Sequence, residues 1–224
     1  MKHKQIWDEF CLRQDVVSQA VPLFEVGDNL NVCTHEIGKT NKRRVLSRSE
    51  QMESLVINQT ELLIADLDND EQVYDGLIYM MFLIEENDVK PLYIGKTESR
   101  GRKNRLSANI SKLSSDKGKF ARWGDNYKYH IGELSAVCVP GHDANNQTDK
   151  YRDWAEQLFS EYPSDGPVLK SPVYFWCKAW KKKDIGIWSD FGETRLPFLE
   201  YLMIGVASTV FPKLLLNREG QSRA

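Results

Sequence analysis

No run in this 224-residue chain is both long and apolar enough to cross a bilayer, since the most apolar region, 198 to 216, is broken by Glu200, Pro212 and Lys213. No signal peptide is expected either, because Met1-Lys2-His3-Lys4 runs into Trp7-Asp8-Glu9 without an apolar core. No membrane partner is expected, and the predicted location is cytoplasmic. Cysteine is scarce: the four residues at 11, 33, 138 and 177 have neither the close spacing of a zinc site nor the density of a secreted disulfide scaffold. They are expected to be reduced and mostly buried. Charge of one sign is also lacking, the net being -2, so a nucleic-acid partner would have to be met by a local basic surface. With 41% apolar and 28% charged residues the composition excludes a disordered or fibrous chain, and the length suffices for a real core.

Two nucleotide- or ion-binding loops are imitated but incomplete. Gly38-Lys39-Thr40 and Gly95-Lys96-Thr97 resemble the end of a P-loop, yet Cys33 and Lys90 stand where the leading glycine belongs. Asp66-Leu67-Asp68-Asn69-Asp70 opens like a calcium loop, but Glu71 and Leu77 occupy the positions of the required glycine and bidentate glutamate.

Residues 1–73 are read as an N-terminal extension, a DNA-contacting or dimerisation arm, ahead of a domain over 74–224 with an insert at about 114–192. Within the extension, Trp7, Phe10, Val16, Val17, Ala20, Val21 and Leu23 predict a short helix ending near Pro22. Ser49 to Ile57 predicts a second helix, followed by a short apolar element at 62–64. The basic run Lys39 to Arg44 with Arg48 reads either as a solvated face or as a contact to a DNA backbone.

From Leu77 to Ile84 the chain is continuously apolar, which predicts a central strand covered on both faces. The polar turn Glu85-Glu86-Asn87-Asp88 and a strand around Leu92 to Ile94 complete an antiparallel hairpin. Ser99 to Leu113 has helical periodicity, with Leu106, Ile110 and Leu113 as its apolar stripe. Five cations, Lys96, Arg100, Arg102, Lys103 and Arg105, stand against Glu98 in this stretch, the densest basic patch beside the hairpin. Further on, 127–139 is β-prone, 149–162 reads as an amphipathic helix, 173–177 as a strand followed by lysines, and 194–210 as a helix with Pro197 near its first turn. Tyr79 and Tyr93, taken singly, are ordinary core aromatics.

The strings Gly76-Leu77-Ile78-Tyr79 and Tyr93-Ile94-Gly95-Lys96-Thr97 together resemble the GIY-YIG nuclease signature, with Leu77 in the first half. In that family the two strands are followed by a helix with an arginine before a hydrophobic residue, a later helix with a metal-binding glutamate, and an asparagine after a proline. The residues that look like these are Tyr79, Tyr93, Lys96, Arg105 before Leu106, Glu200, and Asn217 after Pro212. The resemblance covers roughly 76–110 and 194–217. It implies an α/β (α+β) fold with a small, mainly antiparallel central sheet flanked by helices. Its implied activity is metal-dependent hydrolysis of DNA phosphodiesters, most like the family's free-standing restriction endonucleases, on double-stranded DNA and as a homodimer or higher homo-oligomer.

The implied roles follow the chemistry of phosphodiester cleavage. Glu200 would hold one Mg²⁺, with Mn²⁺ as an alternative. Arg105 would clamp the scissile phosphate. Tyr79 would position or deprotonate the water, with its phenol lowered by Lys96 nearby. Tyr93 would orient phosphate or water, and Asn217 would hold the site together. Arg100, Arg102, Lys103 and Asn109 are the expected DNA contacts. Asn109 stands where the family often has tyrosine or histidine, so His130 is a candidate substitute, and Glu193 competes with Glu200 for the metal. The alternative readings are an inactive nucleic-acid-binding module of the same fold, a repair or mobile-element nuclease, or a structural domain with no nucleic-acid partner.

Overall fold

The computed structural model describes residues 2–101 and 105–220. The chain opens with helix α1 (Lys2–Arg13), the two-residue strand β1 (Val21–Pro22) and a hairpin of β2 (Thr34–Ile37) and β3 (Arg43–Leu46). Helix α2 (Glu50–Asp68) follows, then the long strands β4 (Tyr74–Glu85) and β5 (Asp88–Glu98). The second half contributes α3 (His130–Cys138), α4 (Asp149–Leu158), β6 (Tyr174–Lys181) and α5 (Leu196–Val210). The fold is α+β: five α-helices among the described residues, a four-stranded antiparallel sheet in the order β1-β6-β4-β5, and the separate β2–β3 hairpin.

The apolar run in β4 makes it a central strand, paired with β5 on one side and β6 on the other. Alternation of side chains divides its residues between two cores. Leu77, Tyr79 and Met81 join a cluster with residues of α2, α3 and α4, whereas Ile78, Met80 and Phe82 join one with α1 and α5. The β4–β5 turn places Glu86 and Asn87 at φ of 51° and 70°, the two positive values of a tight twisted hairpin loop.

Local chemistry sets the helix starts. Ser49 caps α2, its hydroxyl accepting from the Met52 N–H at 2.9 Å, and Glu50 and Glu53 lie in the first turn where the helix dipole favours anions. Helix α5 carries Pro197 in its first turn, and Asp75 of β4 accepts from the Leu196 N–H at 3.1 Å while taking Nε and Nη2 of Arg195 at 2.6 Å. The start of α5 is thereby pinned to the strand that carries Tyr79.

Residues before 74 are built into both cores. Trp7 and Phe10 of α1 are fully buried on the α5 side, each worth about 2–3 kcal/mol of apolar transfer, and Trp7 Nε1 donates to Val89 O at 2.9 Å. On the other face Leu23, Met52 and Val56 pack with the residues of α3 and α4, and β1 pairs with β6. The apolar element expected at 62–64 is the continuation of α2, and the first helix ends at Arg13, short of Pro22.

Two elements differ in kind from the sequence pattern. In the stretch 99–113 the described residues, 99–101 and 105–113, form bends, an isolated bridge and turns instead of a helix. Its apolar residues Ile110 and Leu113 are buried as expected, but backbone bonds from Gly101 to Arg105 and from Ser107 to Ser99 fold it back on itself. The β-prone 127–139 is instead α3, in which eight of nine residues are buried. A segment enclosed on every side shows no polar face, so its sequence cannot distinguish a period of 3.6 from one of 2. Cys11, Cys138 and Cys177 are buried free thiols and Cys33 an exposed one. No helix among the described residues is long and apolar enough to cross a membrane.

Candidate functional site

β5 is an edge strand, and its outer backbone groups would be unpaired without the C-terminal segment. The Leu216 N–H donates to Leu92 O at 2.7 Å, and Asn217 bonds both the N–H and the C=O of Ile94 at 2.9 and 2.8 Å. Two residues further along the same edge the Lys96 N–H faces the Glu200 carboxylate and favours its charged form. Glu200 and Asn217, remote in sequence, therefore line one strand edge on either side of Gly95. Beside them is a cleft of about 380 Å³ lined by Tyr93, Arg122, Lys150, Glu200, Tyr201, Ile204, Asn217, Arg218 and Glu219.

Tyr79 and Tyr93 project from the opposite face of the hairpin to α5, into an aromatic cluster with Trp123, His130, Trp154 and Phe175. Their ring centroids are 6.5 Å apart. Gly95 permits this arrangement: a Cβ there would stand 2.6–2.8 Å from the Tyr79 ring, so only glycine lets the phenol lie against β5. Tyr79 is fully buried and stacked on Phe175; burial, and then the neighbouring Tyr93, push its phenol well above the ordinary value. Tyr93, at the mouth of the cleft, is pushed up to about 12 by burial and by Glu200.

This reverses the expectation that Lys96 lowers the Tyr79 phenol. Lys96 is in register with Ile78 and shares its face of the sheet, opposite to Tyr79. Its ammonium bonds Glu98 at 2.6 Å and lies 4.0 Å from Glu200. Glu200 itself is half-buried, and burial raises its carboxyl above the ordinary range against the pull of Lys96, with Glu98 and Glu219 adding to the rise.

The cations lining the cleft are Arg122, Lys150 and Arg218, none foreseen, and Arg218 is paired with Asp153 at 2.7 Å. Arg122 follows Ala121 in a turn where both residues have positive φ, 45° and 77°. That turn is held by Thr97 of β5, whose hydroxyl donates to Ala121 O at 3.2 Å, and by Asn109, whose carbonyl accepts from the Ala121 N–H at 2.8 Å. Lys150 stands in the first turn of α4, its ammonium 4.9 Å from the Tyr93 ring centre, 5.2 Å from Tyr151 and 5.5 Å from Trp154. Burial lowers its pKa, and Arg122 and Arg218 act in the same direction. The sequence signal for Arg122 was present: it precedes Trp123, the same arginine-before-hydrophobic pattern that selected Arg105. Lys150 carried no such signal.

The remaining predicted residues lie elsewhere. Arg105 is exposed on the irregular stretch, and its carbonyl accepts from the Gly101 N–H; it does not line the cleft. Arg100 lines a different cleft with Asp75, Glu98 and Arg195. Asn109 supports the Arg122 turn through its backbone. Arg102 and Lys103 lie outside the described residues. Glu193 is exposed and apart from the cleft, which leaves Glu200 the carboxylate beside Tyr93. His130 is fully buried behind Tyr93; its Nδ1 and the Tyr151 hydroxyl are 2.8 Å apart, and burial, then Lys150 and Arg122, hold its pKa well below the ordinary value. It stays a neutral ring in the aromatic cluster.

Among the described residues no group of three or more His, Cys, Asp or Glu side chains is placed to enclose a metal ion. The carboxylates at the cleft are the half-buried Glu200, whose nearest ammonium is 4.0 Å away, and the exposed Glu219. A hard divalent cation that keeps most of its waters and shares a substrate phosphate fits such a set, whereas a soft metal needing thiolate or several imidazoles does not. A half-buried phenol and a half-buried carboxylate with Arg122 and Lys150 around one cleft are suited to an anionic ester. Comparison with protein-family models, with curated proteins and with solved structures finds no match for this chain.

Proposed function

We propose that this protein is a metal-dependent endonuclease of the GIY-YIG type, hydrolysing phosphodiester bonds of double-stranded DNA. The observation that carries the reading is the convergence of Glu200 and Asn217 on the free edge of β5, beside Tyr93 and with Arg122 and Lys150 across the same cleft. These residue types, on a hairpin whose Gly95 is required by Tyr79, match the order of the family signature more completely than either tyrosine string does alone.

On this reading Arg122 and Lys150 bind the scissile phosphate and neutralise the charge that grows on its oxygens. Because the Tyr93 phenol is pushed up to about 12, it is protonated at neutral pH and donates a hydrogen bond to phosphate or water. Tyr79 is protonated for the same reason and shapes the wall behind Tyr93. Asn217 keeps the edge of β5 in place, and Lys96, its ammonium 4.0 Å away, favours the charged form of Glu200. A magnesium ion bound at Glu200 would supply Lewis acidity at the phosphate and at water. The reading extends to restriction-type cleavage of both strands, for which a homodimer supplies two such clefts.

Protonated, buried phenols equally suit a module that binds nucleic acid without cutting it, and cleavage separates the two. Incubation with plasmid DNA and Mg²⁺ is expected to nick or linearise it, with loss of activity on chelation and in Glu200→Ala. Absence of cleavage with Mg²⁺ and Mn²⁺ across varied DNA substrates would overturn the nuclease reading in favour of binding alone.

A further inference from the structure

The basic run of the β2–β3 hairpin is left unused by the cleft, and the fold sorts its cations into two groups. Lys42 is neutralised by Glu36 at 2.8 Å, Arg44 by Asp165 at 2.5 Å, and Arg48 by Glu53 at 2.9 Å. Lys39 at the hairpin turn and Arg43 form no ion pair among the described residues, and neither does Lys128 on the facing segment.

Arg43 is held rigidly. Its guanidinium lies over the Tyr127 ring at 4.3 Å and donates to Asn126 at 3.2 Å. His142 fastens the same contact from behind: its Nε2 donates to Arg44 O at 2.8 Å, so its Nδ1 accepts from the Tyr127 hydroxyl at 2.7 Å. Two residues beyond Tyr127, the Tyr129 ring carries Arg122 at 5.5 Å. Burial raises the Glu133 carboxyl, against the pull of the Tyr151 hydroxyl and of Lys150, Arg122 and Lys128. Arg122 of the cleft and Arg43 of the hairpin are thus fixed on Tyr129 and Tyr127, the two neighbours of Lys128, so that positive charge runs from the cleft past Lys128 to the two-stranded ribbon that carries Arg43 and Lys39.

We infer that Lys128, Arg43 and Lys39 form a second contact surface for the backbone of double-stranded DNA, outside the cleft that holds Glu200. A two-stranded ribbon has the size of a major groove, and rigid cations spaced along it contact phosphates without reading sequence. The inference rests on the nuclease reading for the position of the scissile phosphate, and the surface itself is tested by binding.

In a Glu200→Ala background, a fluorescent duplex several helical turns long is titrated at rising salt. Lys39→Ala/Arg43→Ala/Lys128→Ala is expected to bind at least about tenfold more weakly and to lower the slope of log affinity against log salt by roughly 2–3. Because Arg43 is partly packed, Lys39→Glu/Lys128→Glu, which changes only exposed side chains, is measured beside it with thermal midpoints for both. Unchanged affinity and slope in the charge-reversed variant, or no salt-sensitive duplex binding at all, overturns the inference. Hairpin-dependent binding without plasmid cleavage by the wild type leaves this surface standing and removes the nuclease reading. Cleavage by the wild type with hairpin-independent binding does the reverse.

Discussion

The carboxamide of Asn217 brackets Ile94 across 123 residues of sequence, Nδ2 donating to the carbonyl at 2.8 Å and Oδ1 accepting from the N–H at 2.9 Å. A side chain here replaces the neighbouring strand that β5 lacks, next to Tyr93, which lines the cleft. Asn217→Ala leaves both Ile94 groups without these bonds at a buried edge, at a cost of about 2–4 kcal/mol. Urea unfolding should show a loss in that range, and Asn217→Asp, which keeps the acceptor and loses the donor, should fall short of the wild type as well. A loss within error for Asn217→Ala would mean that the edge does not depend on this residue.

Glu200 is a carboxylate kept where its ionised form is disfavoured. Its folded pKa is raised by burial, so its ionisation opposes folding once the pH exceeds the ordinary value, and this cost is present at neutral pH and absent in acid. Glu200→Gln should therefore have a higher thermal midpoint than the wild type at pH 8, converging with it as the pH falls below about 4, while cleavage is lost. A lower midpoint at pH 8 would show that Lys96 outweighs burial at this carboxylate.

His130 gives stability a dependence on pH in a different window. Its folded pKa lies below the unfolded value of about 6.5, so the unfolded chain takes up the proton first, and stability present above that value is lost as the pH falls. The groups around it are the Tyr93, Trp123, Tyr151 and Trp154 rings, with Lys150 and Arg122 also disfavouring its charge. His142 shifts in the same direction, mainly by burial. Between pH 7 and 5 the wild type should lose up to about 1.4 kcal/mol per pH unit for each such histidine. His130→Gln should flatten that profile by about one proton's worth. Parallel profiles for the two proteins would remove His130 as the cause.

The two arginines separate a role assigned by pattern from one assigned by position. Arg122→Ala should reduce turnover by roughly 10²–10³, in the manner of removing one donor from a developing oxyanion, and Lys150→Met by a comparable factor. Arg105→Ala, changing an exposed side chain away from the cleft, should leave single-turnover cleavage within about threefold of the wild type. Equal losses for Arg105→Ala and Arg122→Ala would return the phosphate clamp to Arg105.

The hairpin and its two tyrosines were legible in the chain because β4 is apolar on both faces and its turn is polar, signals that depend on neighbours only a few residues apart. α4, β6 and α5 were legible for the same reason. The stretch after β5 was not, because a helical stripe at Leu106, Ile110 and Leu113 serves equally well for a chain folded into turns over the same core. α3 was not, because its burial on all sides removes the contrast between faces that periodicity needs.

The sequence by itself determined that the strands carrying Gly76-Leu77-Ile78-Tyr79 and Tyr93-Ile94-Gly95 would pair, and that a later helix would carry Glu200 on the margin of an apolar face. Only the tertiary structure decided which cations meet that glutamate. Arg105 and Arg122 share the same local pattern, and what distinguishes them is the Thr97–Ala121 bond and the positive-φ turn that bring Arg122 to the edge of β5. Lys150 belongs to a helix that reaches Tyr93 through Trp154 and Tyr151. Such contacts join residues tens of positions apart, and their geometry is set by the packing of whole elements, which no local spacing encodes.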